Sequence, residues 1–108
     1  APVLQRDAYP DIGPVVLAVP PAEAFKRVEA VAAAMGWDIV ARVPTEGRLE
    51  AVATTEWFGF RDDIVVRVRA DGSGSRVDIR SKSRDGQTDL GVNARRIREF
   101  MMRLRSPA

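Results

Sequence analysis

The run Asp62-Asp63-Ile64-Val65-Val66-Arg67-Val68-Arg69, the turn Asp71-Gly72-Ser73-Gly74 and the run Arg76-Val77-Asp78-Ile79-Arg80 together decide the fold. Ile64, Val66 and Val68 alternate with Val65, Arg67 and Arg69, and Val77 and Ile79 alternate with Arg76, Asp78 and Arg80. A period of two is that of strands with one buried and one solvated face. With Asp71 to Gly74 as the turn, Val68 pairs with Val77, Val66 with Ile79, Ile64 with Ser81 and Asp62 with Ser83. A slip of one residue would turn the apolar set outward, so this register is well specified.

The alternation extends upstream. Trp37, Ile39, Ala41 and Val43 alternate with Asp38, Val40 and Arg42; Pro44 to Gly47 turns the chain; Leu49, Ala51 and Ala53 alternate with Arg48, Glu50 and Val52. If Phe58-Gly59 is a two-residue turn, Trp57 faces Phe60, Thr55 faces Asp62, Ala53 faces Ile64 and Ala51 faces Val66. The result is a four-strand antiparallel meander. Before it lie an extended lead-in over 1–13, a short apolar strand from Val15 to Val19, the stop Pro20-Pro21, and a helix from Ala22 to Met35 carrying Phe25, Val28, Ala32 and Met35 at helical spacing. Gly36 ends that helix as a left-handed cap. After the meander, Leu90, Asn93, Ala94, Ile97, Phe100, Met101 and Leu104 form the inward stripe of a last helix. The order strand, helix, four strands, helix makes the fold class α+β: a five-stranded curved antiparallel sheet with two helices on its concave face, helix-grip-like, forming one domain over 14–105.

A chain of 108 residues with 45% hydrophobic and 30% charged residues is long enough to bury a core. It has no cysteine and no histidine, which excludes disulfides, zinc-thiolate sites, Ser-His and Cys-His nucleophilic pairs and imidazole metal ligands. The net charge is only +2, so nucleic acid is disfavoured as a partner. No apolar run is long enough to span a bilayer.

The register places Thr55, Asp62, Ser81 and Ser83 on the core face, where they form its polar end. Asn93 lies on the inward stripe of the last helix, so an amide, a carboxylate and hydroxyls converge beneath Trp57 and Phe60. Buried polar groups need partners, because an unpaired one costs about 1–3 kcal/mol. Either these side chains satisfy one another as a structural network that locks the last helix to the sheet, or they form a ligand pocket with apolar walls. On the outer face the register pairs Arg67 with Asp78, Asp63 with Lys82 and Thr54 with Asp63, and sets Arg69 opposite Arg76, a solvated face of mostly cross-strand charge pairs. It offers no mid-strand aromatic platform for bases. Gly91, with Arg84 and Arg96, is a candidate anion contact; capping of the helix by Thr88 or Asp89 is the plainer reading. Asp62 and Asp63 are adjacent on a strand, point to opposite faces and cannot share a metal ion. No cofactor or metal follows from these residues. Asp62 is the one candidate buried general base and has no nucleophile or oxyanion donors beside it.

Tyr9-Pro10-Asp11-Ile12, then Thr54, Thr55, Trp57-Phe58-Gly59-Phe60 and Asp62-Asp63, then Arg80-Ser81, Ser83-Arg84, Gly86, Asp89-Leu90-Gly91, Asn93-Ala94 and Arg96-Ile97-Arg98 carry a resemblance. The chain resembles, from Tyr9 to Leu104, the uncharacterised bacterial and plastid family catalogued as domain of unknown function 1499. Lys82 and Asp85 to Thr88 are less typical of it. The resemblance implies no activity. It implies a context in which the domain follows hydrophobic N-terminal segments, so that this chain, beginning at Ala1, looks like the soluble C-terminal part of a protein anchored in the cell membrane. The expectation is a non-catalytic domain for a small molecule or lipid, with Thr55, Trp57, Phe60, Asp62, Ser81, Ser83 and Asn93 as its site. The alternative is a structural or protein-interaction module in which Trp57 and Phe58 form an exposed docking patch.

Overall fold

Asp71 and Gly74 face each other across the two-residue turn Gly72-Ser73, where Gly72 takes φ +59°. This turn is shorter than the four-residue one expected, yet the pairing it sets is the expected one: Val68 with Val77, Val66 with Ile79, Ile64 with Ser81 and Asp62 with Ser83. The computed structural model describes residues 12–56, 58–84, 86 and 90–106, the side chain of Leu90 excepted. Trp57, Tyr9 to Asp11 and the Thr88 or Asp89 cap lie outside the described residues.

The elements are β1 (Val15–Leu17), α1 (Pro21–Ala34), β2 (Asp38–Val43), a 3₁₀ turn (Pro44–Glu46), β3 (Arg48–Thr54), β4 (Arg61–Asp71), β5 (Gly74–Ser83) and α2 (Leu90–Arg105). They form one five-stranded antiparallel sheet in the order β1-β5-β4-β3-β2, so the first strand returns to pair with the last. The fold is therefore α+β, with the helices packed on one face in the helix-grip manner. Helix α1 begins with Pro21 at its first turn, and the Pro20 carbonyl accepts the N–H groups of Glu23 and Ala24 at 3.0 and 2.9 Å. It ends where Gly36 takes φ +76°, and the N–H groups of Gly36 and Trp37 reach back to Ala33 and Ala32.

The core lies between the sheet and the two helices. Leu49, Ala51 and Ala53 from β3, Ile64, Val66 and Val68 from β4, and Val77 from β5 are buried against Phe25, Val28 and Ala32 of α1 and Ile97, Phe100, Met101 and Leu104 of α2. Trp37 stacks on Phe100 with ring centroids 5.4 Å apart. The Arg27 guanidinium of α1 donates to the carbonyl of Leu104 at 2.7 Å, bringing a cation to the C-terminal end of α2.

Two expectations are corrected. The β3–β4 register is displaced by two residues: Ala53 pairs with Asp62, Ala51 with Ile64, Leu49 with Val66 and Thr54 with Arg61. The strands are joined by a loop over 55–60 rather than by a Phe58-Gly59 turn. An even displacement leaves every side chain on its expected face, so alternation cannot detect it. On the outer face Arg67 with Asp78, Asp63 with Lys82 and Arg69 with Arg76 are register partners as expected, but the ion pairs of Asp78 and Asp63 form with Arg76 at 3.5 Å and Arg84 at 2.6 Å instead of across these pairs. Neighbours on the same strand, or one register step away, compete successfully with the residue directly opposite because exposed arginines are long.

Candidate functional site

The end of the sheet where β3 gives way to β4 carries most of the expected site. Thr55 organises the loop: its N–H donates to the Phe60 carbonyl at 2.8 Å, its carbonyl accepts from Gly59 at 3.0 Å, and its hydroxyl accepts from the Phe60 N–H at 2.9 Å. Gly59 supplies the positive φ, +67°, that this short path needs. The loop holds Phe58 and Phe60 stacked, with centroids 5.3 Å apart. Phe60 is half-buried, whereas Phe58 is 75% exposed.

Beneath the loop, Asp62, Ser81, Ser83 and Asn93 are all buried, as alternation and helical spacing predict. Asp62 and Ser83 are register partners at the end of the β4–β5 ladder, and Asn93 comes down from the first turns of α2. The Ser81 hydroxyl donates to Asn93 Oδ1 at 2.5 Å. Arg96, one turn further along α2, reaches into the same space. Its Nη1 donates to Asn93 Oδ1 at 2.8 Å and to Ser81 Oγ at 3.4 Å, and lies 2.8 Å from Asp62 Oδ2. The Arg96 side chain is only 11% exposed and that of Asp62 is fully buried. The N–H vectors of Arg96 favour Asn93 and Ser81, so Asp62 is held by an ion-pair contact while neither of its oxygens receives a hydrogen bond. A helix is thereby tied to the end of a sheet through one guanidinium, with a buried carboxylate as its counter-charge.

Not every candidate joins this group. Arg84 is exposed and bonds Asp63 on the opposite face of the sheet, Gly91 is exposed on the first turn of α2, and Arg96 faces inward, so the three proposed anion contacts do not meet at one point. Asp62 and Asp63 do face opposite ways, the first buried and the second half-exposed. Thr55 acts through the loop backbone. The ion-pair role of Arg96 was not read from the sequence; its signal was the i, i+3 spacing from Asn93, which puts it at the margin of the inward stripe. Ser75 was also missed: it is buried at the β1 edge and donates to the Val19 carbonyl at 2.6 Å.

These features define an α+β sheet-and-helix domain whose polar end is closed by an ion-paired network under an exposed aromatic loop. The chain belongs to the family described as protein of unknown function (DUF1499), whose model matches residues 2–104. A search of curated proteins finds no match. Among solved structures the chain is similar to one titled "Crystal structure of Ara h 8.0201", at 12% identity and a TM-score of 0.43, with 85% of this chain and 91% of that chain covered. No described helix is long and apolar enough to cross a membrane.

Proposed function

We propose that the domain is a non-catalytic interaction module that presents the loop over 55–60 to an apolar surface of another protein, and that the buried network beneath it braces the presenting end. The observation that carries this reading is the 75% exposure of Phe58 on a loop fixed by three hydrogen bonds of Thr55. A large aromatic held rigidly in water loses little conformational entropy on docking, and its burial is worth about 1.5–3 kcal/mol. Ser81, Asn93 and Arg96 hydrogen-bond one another and Asp62 is the counter-charge of Arg96, which suits a brace. In this reading an N-terminal segment of the parent protein, of the kind the family resemblance implies, holds the module beside the cell membrane, and the partner is met there.

The test is a photo-crosslinking amino acid at position 58 of the full-length parent in its host cell, with position 16 as a comparably exposed apolar control. The expected result is one discrete protein adduct from position 58, lost when Phe60→Ser removes the stacking partner. Diffuse labelling at both positions would contradict the reading.

A second reading rests on one specific observation. The oxygens of Asp62 accept no hydrogen bond although the residue is fully buried, and a small amphipathic ligand or lipid entering between Phe60, Thr55, Ser83 and Asn93 would supply a donor. In that case the purified domain carries a discrete added mass in native mass spectrometry that Asp62→Asn abolishes.

A further inference from the structure

The outer face of the sheet, opposite the helices, holds a groove of about 850 Å³ that neither the loop nor the Asp62 network touches. Among the described residues its lining includes six basic side chains, Arg48, Arg67, Arg69, Arg76, Arg80 and Lys82, against three acids, Glu50, Asp63 and Asp78. The whole chain has a net charge of only +2, whereas the described lining of this groove is itself net cationic. Each acid is already engaged: Glu50 by Arg48 at 3.1 Å, Asp78 by Arg76 at 3.5 Å and Asp63 by Arg84 at 2.6 Å. Among the described residues, Arg67, Arg69, Arg80 and Lys82 form no ion pair. Two like-charged pairs also stand directly opposite across strands, Arg69 with Arg76 and Arg48 with Arg67. Such juxtapositions destabilise a sheet unless an anion lies between them.

The groove is not polar throughout. It runs round the β5 edge beyond the short pairing with β1, where Ile12, Ile79 and Ile97 give it an apolar end. A volume in this range is that of small-molecule clefts, and a concave face suits a discrete molecule better than a flat bilayer. A face lined by several guanidinium forks suits a phosphate group, which carries close to two charges and three acceptor oxygens, better than a carboxylate, which one fork saturates. Among the described residues the lining carries no aromatic side chain, which disfavours stacked bases.

We propose that this outer-face groove is a binding site for an amphipathic organic phosphate, with the phosphate held among Arg67, Arg69, Arg76 and Arg80 and the apolar part lying toward Ile12 and Ile79. The site is separate from the proposed interaction loop and stands or falls without it.

The test is an amide NMR titration of the 108-residue chain with octyl phosphate, set beside inorganic phosphate and, as a third arm, phosphatidylglycerol vesicles followed by co-sedimentation. The expected result is saturable shifts confined to β4 and β5 around Arg67 to Arg80, with octyl phosphate binding at least tenfold more tightly than inorganic phosphate. The double variant R69Q/R80Q is expected to weaken octyl phosphate binding at least tenfold while its melting temperature stays level or rises, since a like-charge contact has been relieved. A structural role for these arginines would instead lower the melting temperature. Equal binding of the two phosphates, unchanged binding by the variant, shifts centred on the loop over 55–60, or recruitment to vesicles without binding of octyl phosphate would each overturn the proposal.

Discussion

Arg96→Met is the substitution that interrogates the polar end of the sheet most sharply. Methionine keeps much of the volume and the helix propensity, so the change is chiefly the loss of a charge. Asp62 is then left fully buried without a counter-ion, where Arg96 had stood 2.8 Å from Oδ2. At an effective dielectric constant of about 20, two charges roughly 4 Å apart attract by about 4 kcal/mol, and breaking a buried pair from one side costs about 3–5 kcal/mol. The hydrogen bond from Arg96 to Asn93, 2.8 Å long, is lost as well, at about 1 kcal/mol. The expected loss is therefore about 4 kcal/mol, a large share of the roughly 5–15 kcal/mol that holds a domain together. Urea unfolding followed by circular dichroism reads it as a lower midpoint at constant slope. Asp62→Asn and the double variant complete a cycle, in which the two single losses are expected to exceed the double loss by about 2 kcal/mol. Raising the salt concentration should change the wild-type midpoint little, because a buried pair is poorly screened. The exposed pair Arg103–Glu99, at 3.0 Å on α2, is the internal control and is expected to be worth about 0.3–0.5 kcal/mol. A loss below about 1 kcal/mol for Arg96→Met, or additivity of the single variants, would refute the claim that this network braces the fold.

Three further outcomes follow from the same geometry. Phe100→Ala opens the centre of the core beneath Trp37 and is expected to cost about 3–5 kcal/mol in the same unfolding assay. Gly47→Ala and Gly36→Ala both force alanine into the left-handed region, but only at Gly47 would the new Cβ meet backbone, the carbonyl of Val68; Gly36→Ala should cost about 1–2 kcal/mol and Gly47→Ala clearly more. Phe58→Ser removes an exposed ring and is expected to change stability by no more than about 0.5 kcal/mol while eliminating the crosslinked adduct at the loop, as read by denaturation and by immunoblot of a neighbouring crosslinker position.

The faces of the strands were legible in the sequence because alternation is a strong, repeated signal, and the β4–β5 register was legible because Asp71 to Gly74 leaves the chain no room to pair otherwise. The β3–β4 register was not. Thr55 side-chain and backbone hydrogen bonds close a loop there, and a two-residue displacement keeps Ala51, Ala53 and Asp62 on the inward face either way. The same logic divides the site. Asp62, Ser81 and Ser83 follow from parity along a strand, and Asn93 from the helical stripe. Arg96 does not, because a long side chain at the margin of a stripe can turn to water or to a buried carboxylate, and only the position of Asp62 in three dimensions decides between them. The ion pairs of the outer face depart from its correctly read β4–β5 register for a related reason: register says which Cα atoms are opposite, whereas the reach of arginine lets Asp78 and Asp63 choose among several cations.

Native mass spectrometry of the domain purified from its own host tests most directly whether the buried polar end is a closed brace or a ligand site. The account predicts that no mass addition depends on Asp62: wild type and Asp62→Asn carry the same species, and any bound anion leaves with R69Q/R80Q. A discrete added mass that persists in R69Q/R80Q and vanishes in Asp62→Asn would contradict it.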